Sequence, residues 1–356
     1  MLEYALVVAV VSIGWSGYLQ ALLGQFGVAL PVWAAGAAGT GAGHVVDLAA
    51  MFGALAVAGL LVLRIEWGAR FNATMVVVKI AAVALVVAAG LPHVQAANWT
   101  PFMPFGFGGV VEGAAIVFFA VFGYDTLTTA AEEARDPQRD LPRAVLLSLA
   151  ISLSLYVAMS FVLTGMVRYD TLNNAAPVAV AFTAVGSPWI TMIVSAAAVA
   201  GIISVMLAFL LGCARICFAM SRDGLLPEWL SKAHPRFHTP HRPTLAIGAL
   251  TALVAGVFPI KEVAELVNIG TLSAFVVICI SVIVMRRTRP DVRRSFRTPF
   301  SPWTPLVGVG FSSWLLSKLP AVAWERFAIW MALGLLLYFF YGRRHSALGR
   351  ERNDNA

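Results

Sequence analysis

The chain has 356 residues, of which 60% are hydrophobic and only 12% charged, with a mean hydropathy of +0.82. A soluble domain is nearer half apolar and a quarter charged, so this balance excludes an ordinary soluble protein. The net charge of +7 does not point to nucleic acid, because the basic residues lie between apolar runs rather than in one patch.

In chain order the apolar runs predict ten membrane-crossing helices, over 3–30, 48–63, 71–91, 109–131, 144–166, 189–218, 243–258, 263–285, 304–319 and 323–341. The first begins MLEYALVVAV, which has no basic leader and carries Glu3, unlike a cleaved signal peptide. The loops alternate in charge. Nineteen of the 25 Lys and Arg fall in one alternate set of loops and the C-terminal tail, against four in the opposite set (Arg168, Lys261, Lys318, Arg326). That asymmetry predicts both termini in the cytoplasm. Cys213, Cys217 and Cys279 sit in apolar stretches and read as small packing residues. GTGAG (Gly39–Gly43) lacks the strand–turn–helix setting of a nucleotide loop, and His234, His238 and His241 read as a solvated basic loop rather than a metal site. No cofactor and no metal are implied.

Charges inside spans mark functional positions by default. Lys79 lies nine residues from Arg70, about 13 Å along a helix. Asp125 lies ten residues from Arg135, about 15 Å. The hydrocarbon core is about 30 Å thick, so both groups are expected near the midplane. Lys79 reads as a titrating group, since it is too deep for easy snorkelling. Asp125 could be a counter-ion, a ligand-side acceptor or a helix cap. Gly123 weakens the helix just before it, and Asp is a good N-cap for a helix restarting at Thr126. A span broken there exposes carbonyls and N–H groups, which membranes tolerate only at protected cavities. Glu112 is placed in the first turn of its span, where the helix dipole favours an acid. Phe119 and Phe122 share a face beside the break. VNIGTL (Val267–Leu272) is a second polar, glycine-containing interruption, and reads equally as a gate through Asn268, Gly270 and Thr271 or as close packing at Gly270.

FFAVFGYDTLTTAAEEARDPQRDLP (Phe118–Pro142) resembles the sixth-helix signature of amino acid permeases, in the cationic amino acid transporter branch of the amino acid–polyamine–organocation superfamily. ARICFAMSRDGLLP (Ala214–Pro227), NWTPFMPFGFGG (Asn98–Gly109), ELVNIGTL (Glu265–Leu272) and FRTPFSPW (Phe296–Trp303) also fit that family, in its order. The resemblance implies an all-α polytopic membrane protein on the LeuT-like inverted-repeat fold. It matches 1–91 to family helices three to five, 109–285 to helices six to ten, 304–342 to the last two helices, and 343–356 to a cytoplasmic tail. The whole is one membrane domain, expected to lack the family's helices one and two.

The resemblance further implies secondary active transport of amino acids across the plasma membrane, proton-coupled or by exchange, and no enzymatic activity. The partners implied are a small amino acid substrate, the proton and the lipid bilayer. Lys79 matches the family's helix-five lysine, which stands where related carriers hold sodium and is implicated in proton coupling. Ser204 lies at the same level on the helix that approaches it. Phe119, Phe122, Gly123, Tyr124 and Asp125 fall on the unwound part of helix six, where the family contacts substrate. The alternative expectation is a truncated, non-transporting remnant or accessory subunit, because the family's broken first helix supplies half of the binding site.

Overall fold

The computed structural model describes residues 1–63, 69–121, 123, 136–232, 234, 239–292 and 298–346, and the backbone alone at 69–73, 119, 137 and 138. The described residues form helices and loops with two isolated β-bridges, Ala35 to Asp47 and Ala37 to Val45. The helices are α1 (Leu2–Gln25), α2 (Leu48–Val62), α3 (Ala69–Gly90), α4 (Gly106–Val117), α5 (Pro137–Met166), α6 (Pro177–Ala184), α7 (Pro188–Arg222), α8 (His241–Val257), α9 (Ile260–Thr288), α10 (Trp303–Leu316) and α11 (Ala321–Leu337). A 3-10 turn, Phe118–Val121, continues α4. Among the described residues, six stretches are long and apolar enough to cross a membrane, and Leu48–Val62 and Gly106–Val117 are shorter apolar helices. Leu146, Leu147 and Val157 on α5 and Leu333, Leu335 and Leu336 on α11 are exposed. An outward-facing apolar surface of this extent is what lipid requires and water penalises.

Each of the ten expected spans overlaps a helix, with informative shifts at the ends. α1 stops at Gln25 rather than residue 30, because Gly27 turns the chain at a φ of +72° and its N–H bonds the Gly24 carbonyl. α5 starts at Pro137, seven residues earlier than expected, and carries Pro142 near its start. The last part of the expected span 109–131 lies outside the described residues. Glu112 is in the second turn of α4, not the first, because that helix begins at Gly106. VNIGTL does not interrupt anything: α9 runs unbroken through it. One helix is new, α6, whose eight residues are too short to register as a span.

The contacts group the chain into two compact units. The first takes in Met1–Thr100, Ala158–Val263 and the stretch from Ala328; the second takes in Pro101–Val157 and Ala264–Phe327. In the first, α1 packs along α7, α2 along α8, and α3 against α7. Small residues permit close approach: a Cβ at Gly248 would stand 2.5 Å from the Ala58 Cβ. Trp15 Nε1 donates to the Val199 carbonyl at 3.1 Å, pinning α1 to α7. Asp47 caps α2, its Oδ1 accepting from the Ala50 N–H at 2.9 Å and from the Ser16 hydroxyl at 2.6 Å. A core of Val86, Val162, Leu163, Met166, Phe182 and Val194 joins α3, α5, α6 and α7. In the second unit, Val111 and Ala115 of α4 pack with Ile269 and Leu272 of α9 and Leu315 and Leu316 of α10.

Candidate functional site

In the first unit the half-buried charge on Lys79 has a partner. Lys79 on α3 donates from Nζ to Ser204 Oγ on α7 at 2.5 Å, and the Ser204 hydroxyl in turn donates a hydrogen bond to the Gly201 carbonyl at 2.9 Å. Gly201 makes room for the lysine stem: a Cβ there would lie 3.1 Å from Lys79 Cγ and 3.2 Å from Cε. No carboxylate pairs with Lys79 among the described residues. The ammonium sits in the wall of a cavity of about 300 Å³, with Tyr18, Val86, Met159, Val178 and Val194 around it. The sequence reading placed Lys79 and Ser204 at one depth, and here they touch. It passed over Tyr18, whose ring is indistinguishable in sequence from a lipid-facing aromatic on a long apolar helix.

In the second unit the feature is a change of backbone rather than a charge. α4 gives way to the 3-10 turn Phe118–Val121, and Gly123 follows with a φ of +126°. That conformation is open to glycine and strained for any other residue. A 3-10 turn pairs each N–H with the carbonyl three residues back, so carbonyls where the two repeats meet lose their regular partners. Two carbonyls beside this change of backbone accept from side chains. Asn268 Nδ2 donates to the Ile116 carbonyl at 2.7 Å, and the Tyr156 hydroxyl donates to the Ala120 carbonyl at 2.6 Å. Phe118 packs edge-on to Phe275, with ring centroids 5.8 Å apart.

Of the other residues expected at this break, Phe119 is described by its backbone, inside the 3-10 turn. Phe122, Tyr124 and Asp125 lie outside the described residues. Asn268 and Thr271 are both fully buried. Thr271 turns its hydroxyl back to the Val267 carbonyl of its own helix at 3.0 Å, while Asn268 reaches across to α4. Gly270 sits half-buried between them in regular helix. Tyr156 was missed in sequence for the same reason as Tyr18.

The remaining sequence features carry no site. The rings of His234 and His241 meet at 4.9 Å, but no group of three metal-ligating side chains forms among the described residues. Cys213 and Cys217 are buried free thiols on α7, as small packing residues would be.

The sequence matches the family model described as "Amino acid permease" over residues 1–345. It is 43% identical to the methylthioribose transporter of Bacillus subtilis (strain 168), over 98% of this chain and 76% of that protein. It is 42% identical to the branched-chain amino acid permease BcaP of the same organism, again over 98% of this chain and 76% of the relative. A vacuolar protein of Arabidopsis thaliana, cationic amino acid transporter 4, is 35% identical over 74% of this chain and 45% of its own length.

Proposed function

The chain belongs to the amino acid permease family, within the amino acid–polyamine–organocation superfamily, and from that premise we propose that it carries amino acids across the plasma membrane by alternating access. It is an all-α, multi-pass membrane transporter and not an enzyme. In our reading the helices follow the LeuT-like inverted-repeat plan. Residues 1–91 form part of the first repeat, 109–285 the second and 304–342 the last two helices, with both termini cytoplasmic.

The observation that carries the reading is the interrupted span: a 3-10 turn at Phe118–Val121 followed by φ +126° at Gly123, in an apolar segment. Regular helix satisfies every backbone group within itself, and hydrocarbon punishes any departure. A departure retained there supplies backbone dipoles to a solute, and the two charged ends of an amino acid are suited to such dipoles. Substrate therefore sits beside Phe119, Phe122, Gly123, Tyr124 and Asp125. Lys79 is the proton-coupling group. It holds its proton against a hydroxyl rather than a carboxylate, so losing it leaves a neutral amine still hydrogen-bonded to Ser204 and no stranded anion. Asn268, Gly270 and Thr271 form the gate segment facing the break.

A second reading concerns the solute. A relative 43% identical is named for methylthioribose, a neutral thioether sugar rather than a zwitterion. One experiment separates the two. The chain is reconstituted in proteoliposomes and offered radiolabelled L-leucine, L-alanine, L-arginine and methylthioribose in turn. Saturable uptake of at least one amino acid is expected. Saturable uptake of methylthioribose alone transfers the assignment to the second reading, and no saturable uptake of any of the four contradicts both.

A further inference from the structure

The two hydrogen bonds at the break have a common logic. Ile116 and Ala120 stand four residues, one turn, apart, immediately before the glycine that turns the chain. Their carbonyls are held by donors from two different helices, Asn268 on α9 and Tyr156 on α5. Asn268 is completely buried, so its amide has no water to turn to, and a buried amide with one purpose met and another unmet is expensive to keep. Its Oδ1 has no partner among the described residues. Apolar packing alone would be served better by a leucine of similar volume, as on either side at Val267, Ile269 and Leu272. The polar side chain is retained for what its Nδ2 does.

We propose that Asn268 and Tyr156 are positioning residues: two side-chain donors that fix one carbonyl in the last turn of α4 and one in the body of the 3-10 turn, and so set the direction in which the backbone leaves α4 toward Gly123. They touch no solute in this account and act only through the backbone that would. The inference rests on the reading of the break as the solute-facing segment for its functional meaning, but the clamp itself is a local structural claim and is tested separately.

Hydrogen–deuterium exchange on the full chain in nanodiscs reads the clamp directly. Three variants are compared with wild type: Tyr156→Phe, which removes one hydroxyl from an exposed ring; Asn268→Leu, which removes the donor at similar volume; and Ser154→Ala, a control on α5 whose hydroxyl serves the Ala150 carbonyl of its own helix. Loss of one hydrogen bond should accelerate exchange of the amides at 116–121 about fivefold. That acceleration is expected in Tyr156→Phe and in Asn268→Leu, with α1, α7 and α8 unchanged and Ser154→Ala like wild type. Unchanged exchange at 116–121 in Tyr156→Phe overturns the proposal, as does acceleration spread evenly over α4, α9 and α10. Should Asn268→Leu fail to fold, Tyr156→Phe decides alone. Uptake of tritiated L-leucine supplies the second readout. A positioning role raises the apparent KM of Tyr156→Phe severalfold with Vmax within about twofold, whereas a general loss of folded protein lowers Vmax and leaves KM alone. If wild type carries another amino acid of the panel in place of L-leucine, that one is the label; if it carries none of them while exchange responds as expected, the clamp stands and the substrate reading is what fails.

Discussion

Two regions of this chain bring polar atoms into apolar segments, where hydrocarbon would offer no partner, and they differ in what is polar. Around Lys79 both helices are intact and the polar atom is a side-chain cation, met by a single hydroxyl on the neighbouring helix. Just before Gly123 the polar atoms are backbone carbonyls, of Ile116 and Ala120, met by an amide and a phenol from two other helices. A charge can change its protonation state in place; a carbonyl cannot. In the function proposed above, that difference assigns proton exchange to the first region and solute binding to the second.

The comparison can be broken most readily at Gly123. Gly123→Ala forces an L side chain into φ +126°, a strain of about 1–3 kcal/mol. Uptake should fall by about tenfold or more and the apparent melting temperature should drop, read by scanning fluorimetry on purified protein. Wild-type uptake from Gly123→Ala would show that the break is a packing accident. Ser204→Ala is expected to act more mildly. It removes one hydrogen bond, about 1 kcal/mol, from the Lys79 region, and should reduce proton-driven uptake severalfold while leaving exchange between labelled and unlabelled substrate near wild type. Equal losses in both assays would mean that Ser204 supports the fold and not the coupling.

The smallest expected effect lies away from both regions, at Asp47. Burial pushes its carboxyl above the ordinary carboxylate range, against the lowering effect of its hydrogen bonds to Ser16, Ala50 and Ala49. The folded chain thus holds this proton more tightly than the unfolded chain. Stability is then greatest below the ordinary carboxylate range and is lost as pH rises through the raised value. Asp47→Asn keeps an acceptor oxygen for Ser16 and Ala50 and cannot ionise. Its melting temperature should vary less than that of wild type between about pH 4 and pH 7; an identical profile would remove Asp47 from the account.

Much of the architecture was legible in the sequence because membrane helices must be long and apolar, a demand that nothing else in the chain imitates. What escaped had a weaker signature. α6 is too short for a hydropathy window, and its start at Pro177 and the turn at Gly186 just past its end, φ +73°, are visible only once a helix is suspected. Lys79 was legible because a lone charge in an apolar run has no innocent explanation. Ser204 came from the family resemblance and a depth count. Tyr156 and Tyr18 were not legible: an aromatic in a span looks the same whether it faces lipid, a cavity or a carbonyl. Asn268 was noticed for its polarity, but the expected interruption around it does not exist. Its helix is whole, and its amide instead serves a break in another helix.

The central claim is that amino acid movement is coupled to protons through Lys79. The direct measurement is uptake of the substrate identified in the panel, by wild type and Lys79→Ala in proteoliposomes, with an imposed pH gradient and without one. The account predicts that the gradient accelerates uptake by wild type at least severalfold and has no effect on Lys79→Ala, which still binds substrate. A gradient response of equal size in Lys79→Ala would contradict it.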